Sequence, residues 1–350
     1  MKAAVVVGVN DIRVQDILDP VCAAGMVKVA VAFCGICGSD VPRVLKGACH
    51  SFPQVLGHEF SGRVVEVGDG VSTVSVGDHV VGVPLIPCFK CEDCLLGNYS
   101  LCKHYSFVGS RQQGAMAEYV VLPAENVIRV DKSLPLDFAA LTEPSTVALH
   151  GILKNGFNPK PEDKVAIIGA GTIALLVLQW CRILGARDVV VFGRSKGRLP
   201  VAMQYGAQKT FSTLDDDCVK TALHYSQGHG YRYVFDVVGS DSTVRDSLEL
   251  VANKGSICLI GTPTRPMSFA IKEWELINRK ELMLSGSWMS YSSPWPGDEW
   301  QQTARYAASG ELCLGGDLIF RHFPIEKVRE AFDLIGLNAS TVKGRILLDL

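Results

Sequence analysis

Short valine-rich runs recur along the chain, and their setting changes near residue 150. Residues 27–31, 62–67 and 78–83 are brief apolar runs broken by Gly, Pro and Asp. They read as strands and turns of an irregular β-rich unit. Beyond the turn-rich stretch 155–163, apolar strands at 165–168, 189–192, 233–238, 256–260 and 282–285 alternate with helical stretches. That alternation predicts a parallel sheet with helices on both faces. Past residue 286 come a Trp- and Pro-rich loop, helices around 299–308 and 325–335, and a terminal strand at 345–350. The fold class is therefore α/β, with a β-rich unit beside a doubly wound sheet.

A length of 350 residues suggests two domains. An apolar content of 48% with 20% charged residues excludes disorder, collagen-like repeats and coiled coil as readings of the whole chain. Thirty-four basic against thirty-six acidic side chains leave a net charge of -2, so no global field favours nucleic acid or an anionic membrane. The first residues lack the pattern of a secretory or transit peptide, which makes a cytoplasmic location the expectation. The longest uncharged stretch, 165–181, falls short of the ~20 residues a membrane span needs and reads as strand, turn and buried helix. Thiols in such a setting stay reduced, so the spacing of the twelve cysteines matters more than their number.

That spacing marks two metal groups. Cys88, Cys91, Cys94 and Cys102 place four thiols in one short loop, as a closed, structural four-thiolate zinc site requires. An iron–sulfur cluster takes four cysteines too, and the neighbouring chemistry favours zinc. Cys37, His58 and Glu143, with Glu59 beside the histidine, form a more dispersed set whose three ligands leave a fourth position open for catalysis. Taken singly, each of those side chains also has an ordinary reading as a hydrogen-bonded or solvated group. Gly169-Ala170-Gly171-Thr172-Ile173-Ala174 follows a strand and opens a helix, the context in which G-x-G-x-x-G/A binds a pyrophosphate at a helix N-terminus. After the next strand, Gly193-Arg194-Ser195-Lys196-Gly197-Arg198 stands where an NAD enzyme carries an acidic residue. Space at Gly193 and a guanidinium at Arg194, assisted by Ser195, suit a 2′-phosphate and predict NADP(H), with NAD(H) as the alternative.

Gly57-His58-Glu59-x2-Gly62, Val76-Gly77-Asp78-x-Val80, the four-cysteine lobe and Gly169-Ala170-Gly171 together resemble the zinc-dependent medium-chain dehydrogenase/reductases. Glu143-Pro144 resembles their polyol dehydrogenase branch, and the segment 286–297 resembles members acting on polyol phosphates. The resemblance implies a discontinuous GroES-like catalytic domain (1–150 and 287–350) around a Rossmann domain (151–286), with the active site in the cleft between them. It implies one catalytic zinc on Cys37, His58 and Glu143, with Glu59 a direct or exchanging ligand, and one structural zinc. Ser39 is the expected first hydroxyl of a proton relay, and Asp40 the expected support of a ligand. Thr172, Ile173, Arg198, Val238, Gly261, Ser285 and Arg345 join Gly169, Gly171, Gly193, Arg194 and Ser195 as expected cofactor contacts. Arg43, Arg111, Trp288 and Tyr291 are expected to meet substrate. The implied reaction is hydride transfer between the nicotinamide and a polyol, polyol phosphate or ketose, by a homodimer or homotetramer. A short-chain alcohol or diol dehydrogenase is the alternative within enzymes. A zinc-ribbon nucleic-acid binder leaves the glycine-rich turn idle, and a catalytically silent relative would lack the zinc ligands.

Overall fold

A computed structural model of the chain describes residues 1–195, 197–338 and 341–350. Lys196, part of the basic segment after the second strand of the nucleotide motif, lies outside them. The chain divides into two units, Met1–Thr146 with Tyr291–Leu350, and Val147–Ser290.

In the first unit, strand Met26–Gly35 alternates buried and half-buried positions along most of its length, so one face packs into the core and one lies nearer solvent. It pairs with Glu59–Val67 along one side, and on the other first with Tyr119–Pro123 and then with Arg345–Asp349. That change of neighbour matters. It brings the last strand of the chain beside Gly35, which itself faces Glu59 across the opposite ladder. Among the described residues the sheet has seven strands. Val27, Val29, Phe60, Val64, Val80 and Ile346 are buried in the core it covers.

The second unit has six parallel strands among the described residues, labelled β1 (Lys164–Ile168), β2 (Asp188–Gly193), β3 (Lys209–Ser212), β4 (Tyr231–Asp236), β5 (Val251–Leu259) and β6 (Met283–Gly286). Their order is β3-β2-β1-β4-β5-β6. The order reverses between β1 and β4, and a doubly wound sheet binds ligands beyond the carboxyl ends of its strands at such a switch point. Ala166, Ile168, Val190, Phe192, Val234 and Ile257 fill the core from four of these strands. The uncharged stretch 165–181 divides into β1, the glycine turn and helix α1 (Thr172–Ile183), whose residues Ala174 to Cys181 are all buried. Among the described residues no helix is long and apolar enough to cross a membrane. The helix expected around 325–335 begins as a single 3-10 turn, Ile325–Lys327, and continues as an α-helix over Val328–Asn338.

Candidate active site

Backbone geometry sets the metal-binding group of the first unit. Gly57 has φ +97°, and a Cβ there would lie 2.6 Å from the Cys34 sulfur, so only glycine carries the chain into His58. Glu59 begins its strand opposite Gly35, where the lack of a side chain leaves room for the carboxylate. Cys37 follows strand Met26–Gly35, and Asp40 opens the short helix Asp40–Leu45. The result is that donor atoms of Cys37, His58 and Glu59 all lie within 4.8 Å of one another.

The support around this group is built from charges. Asp40 is fully buried. Its Oδ2 accepts the Cys37 N–H at 3.1 Å, and its Oδ1 accepts from Arg43 Nη1 at 2.9 Å and stands 3.7 Å from His58 Nδ1. Arg345 Nε approaches Glu59 Oε2 at 2.8 Å, but the two are not aligned as a hydrogen bond, which leaves an ion pair with spare acceptor capacity. Burial works against the charge on Arg345, yet Glu59, Cys37, Glu143 and Asp40 outweigh it and hold the guanidinium more firmly protonated than usual. The Cys37 thiol is pushed up by burial first and by Glu59 second. Burial lifts the Glu143 carboxyl to about 7, with Glu59 and Asp40 adding and His58 and Arg345 opposing. Glu143 thus shares the electrostatics of the group while standing outside its 4.8 Å cluster. One thiol, one imidazole and one carboxylate suit a zinc ion with a free coordination position. His58 Nδ1 and Glu59 Oε2, buried without a hydrogen-bond partner, are the kind of atoms that a bound ion organises directly or through its ligands.

Cys88, Cys91, Cys94 and Cys102 form the second group, again with sulfurs within 4.8 Å of one another. Cys88 and Cys94 sulfurs lie 4.0 Å apart and those of Cys91 and Cys102 3.9 Å, far too long for disulfides. Zn–S bonds of about 2.3 Å give a tetrahedral edge of about 3.8 Å, so the spacing fits a four-thiolate zinc. Backbone N–H groups, that of Lys90 first, lower the Cys88 thiol to about 6 and favour its thiolate. Phe89, Tyr99 and Trp295 meet edge to face and pack the lobe against the later part of the unit.

In the second unit Gly169 has φ +127°, and a Cβ there would meet Val237 Cγ2 at 2.6 Å. Gly171 caps α1, and Thr172 and Ile173 form its first turn. Arg198 reaches back to this turn: its Nη1 lies 3.5 Å from where a Gly171 Cβ would be, and its buried Nε has no hydrogen-bond partner. Burial lowers its pKa. An unpaired guanidinium beside a helix N-terminus is a fitting seat for a phosphate of a dinucleotide. Arg194 is exposed and Ser195 half-buried. A Cβ on Gly193 would meet Ala170 Cβ at 2.7 Å, so this glycine lets the second strand close on the glycine turn.

Across the switch point, Asp236 ends β4 and accepts from the N–H groups of Val238 and Gly239 at 2.8 and 3.1 Å and from Thr243 Oγ1 at 2.9 Å, fixing the loop. Sequence reasoning missed it, although an acidic residue inside the apolar run 233–238 was the available signal. A cavity of about 450 Å³ opens at the ends of β4, β5 and β6, lined by Gly239, Gly261, Thr262, Ser287 and Trp288 among others. Val238 is 45% exposed beside Gly239. Ser285 is tied into the sheet, its hydroxyl donating to Asn155 Oδ1 at 3.1 Å and to the Ile257 carbonyl at 3.2 Å.

The remaining predicted residues fall in different settings. Ser39 is exposed, and its Oγ accepts from Arg43 Nη1 at 3.2 Å. Arg345, expected at the cofactor, pairs with Glu59 of the metal group. Tyr291, expected at the substrate, is enclosed: its ring stacks with Trp295 and Trp300, and its hydroxyl accepts the Leu85 N–H at 3.3 Å. Arg111 is exposed over the ring of Tyr105.

Residues 23–132 match the family model described as "Alcohol dehydrogenase GroES-like domain", and residues 172–307 match "Zinc-binding dehydrogenase". The chain is 38% identical over 323 residues to galactitol 1-phosphate 5-dehydrogenase of Escherichia coli K12, covering 92% of each protein. The crystal structure of the Escherichia coli galactitol-1-phosphate dehydrogenase superposes with a TM-score of 0.93 at 35% identity, over 100% of both chains. D-arabitol-phosphate dehydrogenase of Enterococcus avium is 31% identical over 333 residues, covering 94% of this chain and 92% of that one. A Sinorhizobium meliloti 1021 structure, described as a zinc-binding dehydrogenase bound to NADP, superposes with a TM-score of 0.90 at 28% identity, over 100% of this chain and 99% of that one.

Proposed function

The chain belongs to the zinc-binding medium-chain alcohol dehydrogenase family, and from that premise we propose that it moves a hydride between NADP(H) and the secondary alcohol or ketone of a polyol phosphate or polyol. The observation that carries this reading is the convergence of Cys37, His58 and Glu59 donor atoms within 4.8 Å. We assign these residues, with Glu143 as a further carboxylate, to a catalytic zinc, and the four cysteines to a structural one. A zinc ion held there supplies Lewis-acid chemistry that lowers the pKa of a carbinol or polarises a ketone, while the nicotinamide supplies or takes the hydride. The protein's own part is positional. Asp40 fixes the Cys37 backbone, Arg345 restrains Glu59, and Ser39 Oγ relays the carbinol proton, accepting it as its own hydroxyl proton passes to the solvent that Ser39 meets.

Support for NADP(H) comes from the basic segment after β2. With glycine in place of an acidic residue at position 193, nothing there repels a 2′-phosphate, and Arg198 and Arg194 supply the countercharge. Support for a phosphorylated substrate comes from two relatives, named for galactitol 1-phosphate and D-arabitol phosphate. Exposed Arg111 is the cation proposed to meet the substrate phosphate. The edge strand β6, paired on one side only among the described residues and exposing Met283 and Leu284, supports assembly as a homodimer or homotetramer.

Initial rates over hexitol phosphates, free hexitols and short diols, each with NADP and NAD, test the proposal. The expected result is higher kcat/KM with NADP and with the phosphorylated member of each pair. Higher efficiency with NAD would overturn the cofactor assignment, and equal rates on free polyols the phosphate assignment.

A further inference from the structure

Arg43 was expected to face substrate, and its contacts point elsewhere. A single nitrogen, Nη1, donates to Ser39 Oγ at 3.2 Å and to Asp40 Oδ1 at 2.9 Å. Its side chain is 18% exposed and that of Asp40 0%, so this ion pair is well shielded from water. Asp40 is the hinge of the arrangement: Oδ2 receives the Cys37 N–H at 3.1 Å, and Oδ1 faces His58 Nδ1 at 3.7 Å. The same carboxylate therefore touches the backbone of one candidate metal ligand and looks toward the ring of another. Without Arg43 it would be a buried charge lacking the cationic hydrogen-bond donor that holds it in place, and free to turn.

We propose that Arg43 is a positioning residue of the metal group, which holds Asp40 between Cys37 and His58 and fixes the Ser39 hydroxyl by occupying one of its acceptor lone pairs. Helix Asp40–Leu45 supplies the geometry, because residues three apart lie on the same face and Arg43 returns over Asp40 one turn later. With Nη1 donating to Ser39 Oγ, the serine O–H is left to donate outward, the orientation that a proton-accepting and proton-passing hydroxyl needs. The inference rests on reading Cys37, His58 and Glu59 as a metal site. It goes beyond that reading in giving the site's strength and the hydroxyl's direction to a cation outside the ligand set.

Wild type, Arg43→Met and Arg43→Lys are compared by zinc content, by competition with a metal chelator, and by the visible spectrum after cobalt replaces zinc. Supports of metal ligands change affinity about ten- to a hundredfold when removed. Arg43→Met should release one of its two zinc ions at about tenfold lower chelator concentration and keep the four-cysteine zinc. Its cobalt spectrum should shift, and kcat should fall with KM for NADP unchanged. Arg43→Lys, which retains a charged donor, should recover most of each effect. If Arg43→Met does not fold, Arg43→Gln carries the same comparison. Chelator competition and a cobalt spectrum identical to wild type would overturn the proposal, as would a variant altered only in KM for a phosphorylated substrate. A wild type holding a single zinc would instead overturn the underlying metal assignment.

Discussion

Glu143 is a carboxyl kept where its charge is costly. Burial raises it to about 7 from 4.5, so without metal the folded state prefers the protonated form. The sign follows: a carboxyl whose folded pKa lies above its unfolded value stabilises fully below the unfolded value and loses that contribution as pH climbs through the folded one. Metal-depleted protein should therefore lose thermal stability as pH rises from about 4.5 to about 7, the interval these two values span. Glu143→Gln should flatten that fall, whereas an unchanged slope would show that Glu143 is not the group responsible. In the zinc-loaded protein Glu143→Ala should lose most activity and keep the four-cysteine zinc, and steady-state rates with metal analysis check both. Arg198 offers a second test, through binding. A charge pair at 4 Å is worth ~4 kcal/mol in gross terms at an effective dielectric of 20, before desolvation takes its share. Arg198→Ala should raise KM for NADP(H) by roughly tens of fold, corresponding to about 2 kcal/mol, with a smaller change for NAD(H). Equal effects on both cofactors would place Arg198 at the shared pyrophosphate.

Lys280 shows how one side chain can finish an element. Its ammonium donates to the carbonyls of Leu248, Glu249 and Val251 at 2.8–2.9 Å, closing the C-terminus of helix Asp241–Leu250. Those carbonyls have no intrahelical partner, and a cation there also meets the negative end of the helix dipole. Lys280→Met should cost about 2 kcal/mol in urea unfolding with activity per folded molecule retained. A change within error would mean that water replaces the lysine. Elements that carry long apolar runs were legible in the sequence: β1, β2 and β4 fall on stretches that composition alone marks, and β5 does so in its second half. β3 was not, because of Lys209, Thr210, Phe211 and Ser212 only Phe211 is buried. The glycine turn and the four cysteines were legible because their chemistry is local. The pairing of Glu59 with Arg345 was not, since they lie 286 positions apart and their strands come together through a shared neighbour, strand Met26–Gly35. The burial of Tyr291 was not legible for a related reason, because an aromatic that lines a pocket and one that fills a core look alike in sequence.

At the scale of the molecule, the chain divides its chemistry between two units. Cys37, His58, Glu59, Glu143 and all four lobe cysteines lie in the unit formed by Met1–Thr146 and Tyr291–Leu350, and Gly169, Gly171, Arg194 and Arg198 lie in Val147–Ser290. Each unit has its own buried core, so damage to one site need not unfold the other. That separation makes the central claim, a zinc-dependent dehydrogenase acting on polyols, open to a clean test with Cys37→Ser. The measurement is the rate of NADP reduction with a hexitol phosphate, set beside zinc per chain and NADP affinity, in wild type and variant. The account predicts two zinc ions and turnover in wild type, and one zinc ion, retained NADP binding and at least a hundredfold less turnover in Cys37→Ser, roughly the ~3 kcal/mol that loss of Lewis-acid stabilisation implies. A Cys37→Ser protein with both zinc ions and undiminished turnover would contradict it.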